Sequence, residues 1–182
     1  CDPALLFENY DGESAKREAL LDLVQTAIDG GHKMLVFSQF TTMLERIMTD
    51  LNEEKIPFYT IMGKTPKKER LRLVNEFNTN DVPVFLISLK AGGTGLNLVG
   101  ADIVIHFDPW WNFAVQNQAT DRAHRIGQVN TVSVFKLIAK DTIEEKIARL
   151  QETKKELADE ILSGEGGSLS NMTKEDLMEL LG

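Results

Sequence analysis

The chain has 182 residues, 42% of them hydrophobic and 26% charged, an ordinary globular mixture that excludes a disordered chain, a collagen and a coiled-coil rod. No apolar run approaches the ~20 residues needed to span a bilayer, and the single cysteine, Cys1, allows no internal disulfide and points to a reducing compartment. The net charge of −8, taken whole, argues against a nucleic-acid binder.

The opening residues 1–12 carry turn formers and no clear period, and we expect an incoming linker there. Cys1 stands where a methionine would begin a complete protein and no signal-peptide pattern follows, so a piece of a longer protein is expected. Ser14 is a candidate N-cap for a helix with Leu20, Leu21, Val24, Ala27 and Ile28 on one face and Gly30-Gly31 as its stop. Met34 to Phe37 is too short for a helix and reads as a buried strand. Thr41 or Thr42 starts a second helix, with Leu44, Ile47, Met48 and Leu51 along one side. Pro57 to Ile61 is a second strand, and Pro66 opens a helix whose apolar face is Leu71, Leu73, Val74 and Phe77. Residues 82–88 and 102–107 read as a third and fourth strand, 113–122 as a helix, and 131–138, which alternates, as a fifth strand. Helical period returns from Thr142 to Leu162. Residues 163–168 form a Gly/Ser hinge, and Thr173 with Asp176 resembles a capping box for a last helix over 177–181.

Strands alternating with helices predict an α/β fold, a parallel sheet covered on both faces, and in such sheets function gathers at the carboxyl ends of the strands. Those ends carry Ser38-Gln39-Phe40, then Ser88 to Asn97, then Asp108 to Asn112. The glycine-rich Ala91 to Asn97 lets backbone N–H groups approach an anion, or simply makes a tight strand-to-helix turn. It is not a P-loop, which needs a Gly-Lys-Ser/Thr ending. As a dinucleotide fingerprint for NAD it lacks the third glycine, since Leu98 stands there, and Asp108 follows about 13 residues on rather than about 20. Arg122 and Arg125 share a helix face and repel unless an acid such as Asp121 or Asp108, or an incoming phosphate, lies between them. Adjacent Trp110 and Trp111 point opposite ways, so one is expected exposed, where a wedge beside DNA is one use and core packing the commoner one. Lys64, Lys67, Lys68, Arg70 and Arg72 form the densest basic run, either a solvated helix face or a set of phosphate contacts. His32 and His106 have no metal-ligand neighbours and read as structural. No Cys/His zinc spacing and no nucleophile elbow occur, so no metal site is expected.

In this order the motifs resemble the second RecA-like lobe of a SWI/SNF-type ATPase, a DNA translocase family related to DEAD/DEAH helicases. KMLVFSQFTTML is similar to motif IV, PFYTIMGKTPKKERLRLVNEFN to the block after it, FLISLKAGGTGLNL to motif V, and DPWWN with QATDRAHRIGQ to the linking segment and motif VI. The resemblance covers residues 1 to about 150, and Phe113 departs from it by standing where the family usually has proline. It implies a three-layer RecA-like lobe over 13–150 and a helical extension over 151–182. It implies that Arg122 and Arg125 are arginine fingers, that Gly95, Asn97 and Gln118 face ATP, and that Ser38, Gln39, Lys64, Ser88, Lys90, Gly92, Gly93 and Trp111 follow double-stranded DNA. ATP with Mg2+ would be held mainly by an upstream lobe of the same chain, leaving this lobe inactive alone. A further protein partner, such as RNA polymerase or another DNA-bound complex, follows from the same resemblance; no membrane does. The WWN form and compact tail look like a prokaryotic member, placed with the nucleoid in the cytoplasm; a eukaryotic one would be nuclear. A RecA-like scaffold without catalysis is the alternative. The charge distribution fits the motor: residues 1–30 and 150–182 each carry −5, and the motif-bearing 31–149 carries +2.

Overall fold

A computed structural model describes residues 14–92, 96–110, 119–120, 123 and 131–163, with the backbone alone for 155–163. The first helix, α1 (Ala15–Asp29), starts where expected, yet Ser14 caps it through its carbonyl, which accepts from the Arg17 and Glu18 N–H groups at 2.8 and 3.0 Å, and not through its hydroxyl. It stops at Gly31, whose φ of +72° is open to a residue without a Cβ; Gly31 N–H then reaches the Ile28 carbonyl and His32 N–H the Ala27 carbonyl. The elements that follow are β1 (Met34–Ser38), α2 (Thr41–Glu53), β2 (Phe58–Ile61), α3 (Lys67–Thr79), β3 (Val84–Ser88), α4 (Leu89–Gly92), β4 (Ile103–His106), β5 (Ser133–Lys136) and α5 (Ile143–Ser163).

The five strands form one sheet in the order β2-β3-β1-β4-β5, every neighbouring pair parallel. Met34 pairs with Val84 on one side and Ile103 on the other, and this register keeps like faces together. Leu35, Phe37, Phe85, Ile87 and Val104 pack on Leu73, Val74 and Phe77 of α3. Met34, Val36, Val84, Leu86 and Ile105 pack on Leu20 and Val24 of α1 and on Leu44, Ile47 and Leu51 of α2. The fold is therefore the three-layer α/β RecA-like arrangement, with helices on both faces. The strictly buried β1 and β3 explain why those strands read as continuous apolar runs rather than alternating ones. Each large apolar side chain sealed between layers contributes about 1.5–3 kcal/mol by leaving water.

One expectation changes. The alternating 131–138 segment is paired only over Ser133–Lys136, and all four residues are exposed, because among the described residues β5 is an edge strand with a neighbour on one side alone. A helical turn, α4, opens the glycine-rich stretch directly after β3. The helical period from Thr142 to Leu162 is realised as α5, unbroken over Ile143–Ser163. The hinge from residue 164 on, the last helix and most of 113–122 lie outside the described residues.

Candidate functional site

Because all strands run the same way, their carboxyl ends share one edge of the sheet. In spatial order it carries the Met62–Thr65 turn after β2, Ser88 and α4 after β3, Ser38 to Phe40 after β1, and Asp108 to Trp110 after β4. The structure thus brings together Lys64, Ser88, Lys90, Gly92, Ser38 and Gln39, which sequence placed in one functional group. Lys64 and Lys90 are exposed and Gln39 is half-buried. Gly93, Gly95, Trp111, Gln118, Arg122 and Arg125 lie outside the described residues.

The two serines act inward. Ser38 and Ser88 are buried, and the Ser88 hydroxyl accepts from the Ala91 N–H at 3.3 Å, holding the first turn of α4. The Ser38 hydroxyl donates to the Asp108 carboxylate and accepts from the Phe40 N–H at 3.1 Å. Gln39 joins the same corner: its N–H reaches Asp108 at 3.3 Å and its side-chain amide reaches the Pro109 carbonyl at 3.4 Å. Asp108 is thus engaged with β1 as a structural acid. Burial pushes its carboxyl above the usual carboxylate range, against the opposing pull of Ser38, Lys16 and the Gln39 N–H.

Behind this corner lies a buried ion pair that sequence reading missed. Lys16 of α1 donates to Glu144 of α5 at 2.8 Å, with the ammonium over the Phe107 ring at 4.7 Å from its centre. Burial works against the Glu144 charge, but the bonds from Lys16 and from the Ala139 N–H outweigh it and hold this carboxyl below its ordinary range. Gln151 of α5 donates to the Trp110 carbonyl, so α5 holds the end of β4 as well. Trp110 itself is half-buried against the core on the α3 side.

The basic run divides by role. Arg70 binds its own turn, donating to the carbonyls of Thr65 at 2.8 Å and Gly63 at 2.9 Å, and crosses to Ala91 at 3.3 Å. Arg72 pairs along the helix with Glu69 at 2.6 Å and Glu76 at 2.5 Å. Lys64, Lys67 and Lys68 are exposed. Asn97 is exposed too, and its carbonyl accepts from Asn78 at 2.8 Å, while the Asn78 side-chain oxygen takes the Gly100 N–H at 2.9 Å. A Cβ at Gly100 would stand 3.0 Å from Asn78, so a larger residue there would press on the clamp.

Ala119 and Ala123 are buried in the α3-side core, and Thr120 hydrogen bonds His106 Nε2 at 3.0 Å. His106 stacks on Phe37 and is structural, as expected; burial, then Lys136, hold its pKa down at about 4. A cavity of about 480 Å³ opens at the opposite, amino end of the sheet, among Gln25, His32, Lys33, Lys55 and Asp81. Its polar groups serve the fold. Lys33 caps the end of α3 through the Phe77 and Asn80 carbonyls, and His32 bonds Asp102 at 2.8 Å. Among the described residues no group of three His, Cys, Asp or Glu side chains could hold a metal ion. No helix among them is long and apolar enough to cross a membrane.

Comparison with known proteins gives the family and a structural neighbour. Residues 15–127 match the model of the helicase conserved C-terminal domain. An uncharacterized ATP-dependent helicase of Mycoplasma pneumoniae is 44% identical over 168 residues, which are 92% of this chain and 16% of that protein. The putative ATP-dependent helicase/translocase YwqA of Bacillus subtilis is 42% identical over 189 residues, 99% of this chain and 20% of that one. The C-terminal part of the Fun30 ATPase domain superposes with a TM-score of 0.73 at 41% identity, over 75% of this chain and 45% of that one. The chain therefore spans a fifth or less of the two helicases' lengths.

Proposed function

The chain belongs to the helicase conserved C-terminal domain family, in its SWI/SNF-type branch, and on that premise we propose that it is the second motor lobe of an ATP-driven translocase on double-stranded DNA. The observation that carries this reading is the working edge. Lys64, Lys90, Gln39 and the Trp110 corner follow four adjacent parallel strands at their carboxyl ends, where open α/β sheets bind ligands. Exposed lysines there suit a phosphate backbone, while the buried Ser38 and Ser88 shape the edge rather than reach out from it.

The described residues supply no magnesium cluster and the sequence has no P-loop, so we assign ATP and its Mg2+ to an upstream lobe of the same protein. When bound there, ATP supplies the free energy of its γ-phosphate. Arg122 and Arg125 are the groups this lobe brings to it, and an arginine finger is worth roughly 10³–10⁵ in rate. Gly95, Asn97 and Gln118 line the same approach. Gly92, Gly93 and Trp111 complete the DNA path, and residues 151–182 extend the lobe.

In the full-length protein, Arg122→Ala is expected to abolish ATP turnover while DNA binding survives. The isolated chain is expected to show no turnover with or without DNA. DNA-stimulated hydrolysis by the isolated chain would overturn the reading.

A further inference from the structure

Asp108 is 5% exposed, and a single oxygen of it, Oδ2, takes both donors from the end of β1, the Ser38 hydroxyl and the Gln39 N–H. The Gln39 side chain adds a second link to the same corner at the Pro109 carbonyl, and Gln151 steadies the next carbonyl, that of Trp110. Two segments 70 residues apart are thereby fastened at the exposed edge of the sheet. The only buried cation nearby among the described residues, Lys16, already has a partner in Glu144 at 2.8 Å. A negative charge on Asp108 is therefore not needed to balance it. What the two donors need is an oxygen in that place.

We propose that Asp108 is a positioning residue whose Oδ2, by its placement rather than its charge, locks the Ser38–Gln39 corner to the Pro109–Trp110 corner, so that the edge meets DNA as one surface. This rests on the translocase reading above. The lock ties the ends of neighbouring strands, β1 and β4, one step past the last backbone bond between them, Phe107 N–H on the Phe37 carbonyl at 2.9 Å. Without it, each corner must be ordered anew when DNA binds, and that cost appears as weaker binding.

The test is the ATP turnover of the full-length protein as a function of duplex DNA concentration. Asp108→Asn keeps an oxygen where Oδ2 lies, selected by the two donors, and removes the charge. Asp108→Glu keeps the charge and carries the oxygens about 1.5 Å further out. Asp108→Ala removes both. Asn is expected to stay within about two-fold of the wild-type half-saturating DNA concentration, and Glu and Ala to raise it roughly ten-fold, with turnover at saturating DNA little changed. Should the Ala variant fail to fold, the Asn and Glu pair still decides. An impaired Asn beside a normal Glu would show that charge matters and overturn the proposal. So would wild-type half-saturation in Ala, or a fall in maximal turnover without a shift in half-saturation, the mark of a general folding role. A wild-type protein with no DNA-dependent turnover would instead count against the translocase reading, before any variant is made.

Discussion

At the scale of single residues, the fold keeps one histidine neutral well into acid. The unfolded His106 imidazole takes a proton near 6.5 and the folded one only near 4, so the unfolded chain binds the proton first. Stability is full above pH 6.5 and falls as the pH drops toward 4, by up to about 3 kcal/mol from this group alone. The raised Asp108 carboxyl works in the opposite sense, since its protonation in acid relieves a buried charge. Denaturant titrations at stepped pH should show the fall, and His106→Gln should flatten it; an unchanged slope would contradict the assignment. His106 was legible as structural because it lacks partners of metal-binding type in sequence. Asp108, Asn78 and Arg70 were not legible in their actual roles, because the partners of the first two sit 70 and 22 residues away and those of Arg70 are backbone carbonyls. Spacing along a chain carries no record of a side chain that binds a carbonyl across a loop.

Helices α1 and α2 end in the same way with different residues. In α1 the left-handed position is Gly31 at φ +72°; in α2 it is Lys55 at φ +56°, with Lys55 N–H on the Asn52 carbonyl and Ile56 N–H on that of Leu51. A residue with a Cβ costs about 1–2 kcal/mol in that conformation. Lys55→Gly is therefore expected to stabilise the protein by up to about 1 kcal/mol once the extra freedom of glycine in the unfolded chain is subtracted. Gly31→Ala is expected to cost about 1 kcal/mol, for no atom lies within 4 Å of the added Cβ and strain alone acts. Thermal melts of the two variants should move in opposite directions, and a shared direction would refute the account. Gly30-Gly31 made the end of α1 visible in sequence, whereas Lys55 offers no such signal. Strands β1, β3 and β4 were visible because both faces are buried. The extent of β5 was not, since the alternation over 131–138 suggested a longer strand, whereas among the described residues β5 is the last strand of the sheet and pairs over Ser133–Lys136 alone.

For the whole molecule, the proposed translocase role makes the balance of charge the factor that sets DNA binding. The net −8 hides a middle of +2 between two flanks of −5. Weak, salt-sensitive DNA binding by the isolated chain is expected. If Lys64, Lys67 and Lys90 each neutralise one phosphate, affinity drops about forty-fold from roughly 50 to 200 mM salt. Fluorescence anisotropy with a labelled duplex checks this, and tight binding indifferent to salt would reject it. The shared edge of strand ends was foreseeable from the alternation of strands and helices, because one-way strands must end together. The same one-way arrangement has a mechanical side. A force that pulls the carboxyl end of one strand against the amino end of its neighbour runs along the ladder, across bonds that lie athwart it. Those bonds then yield together rather than peel one by one. A sheet so built resists sliding far better than it resists being opened one bond at a time.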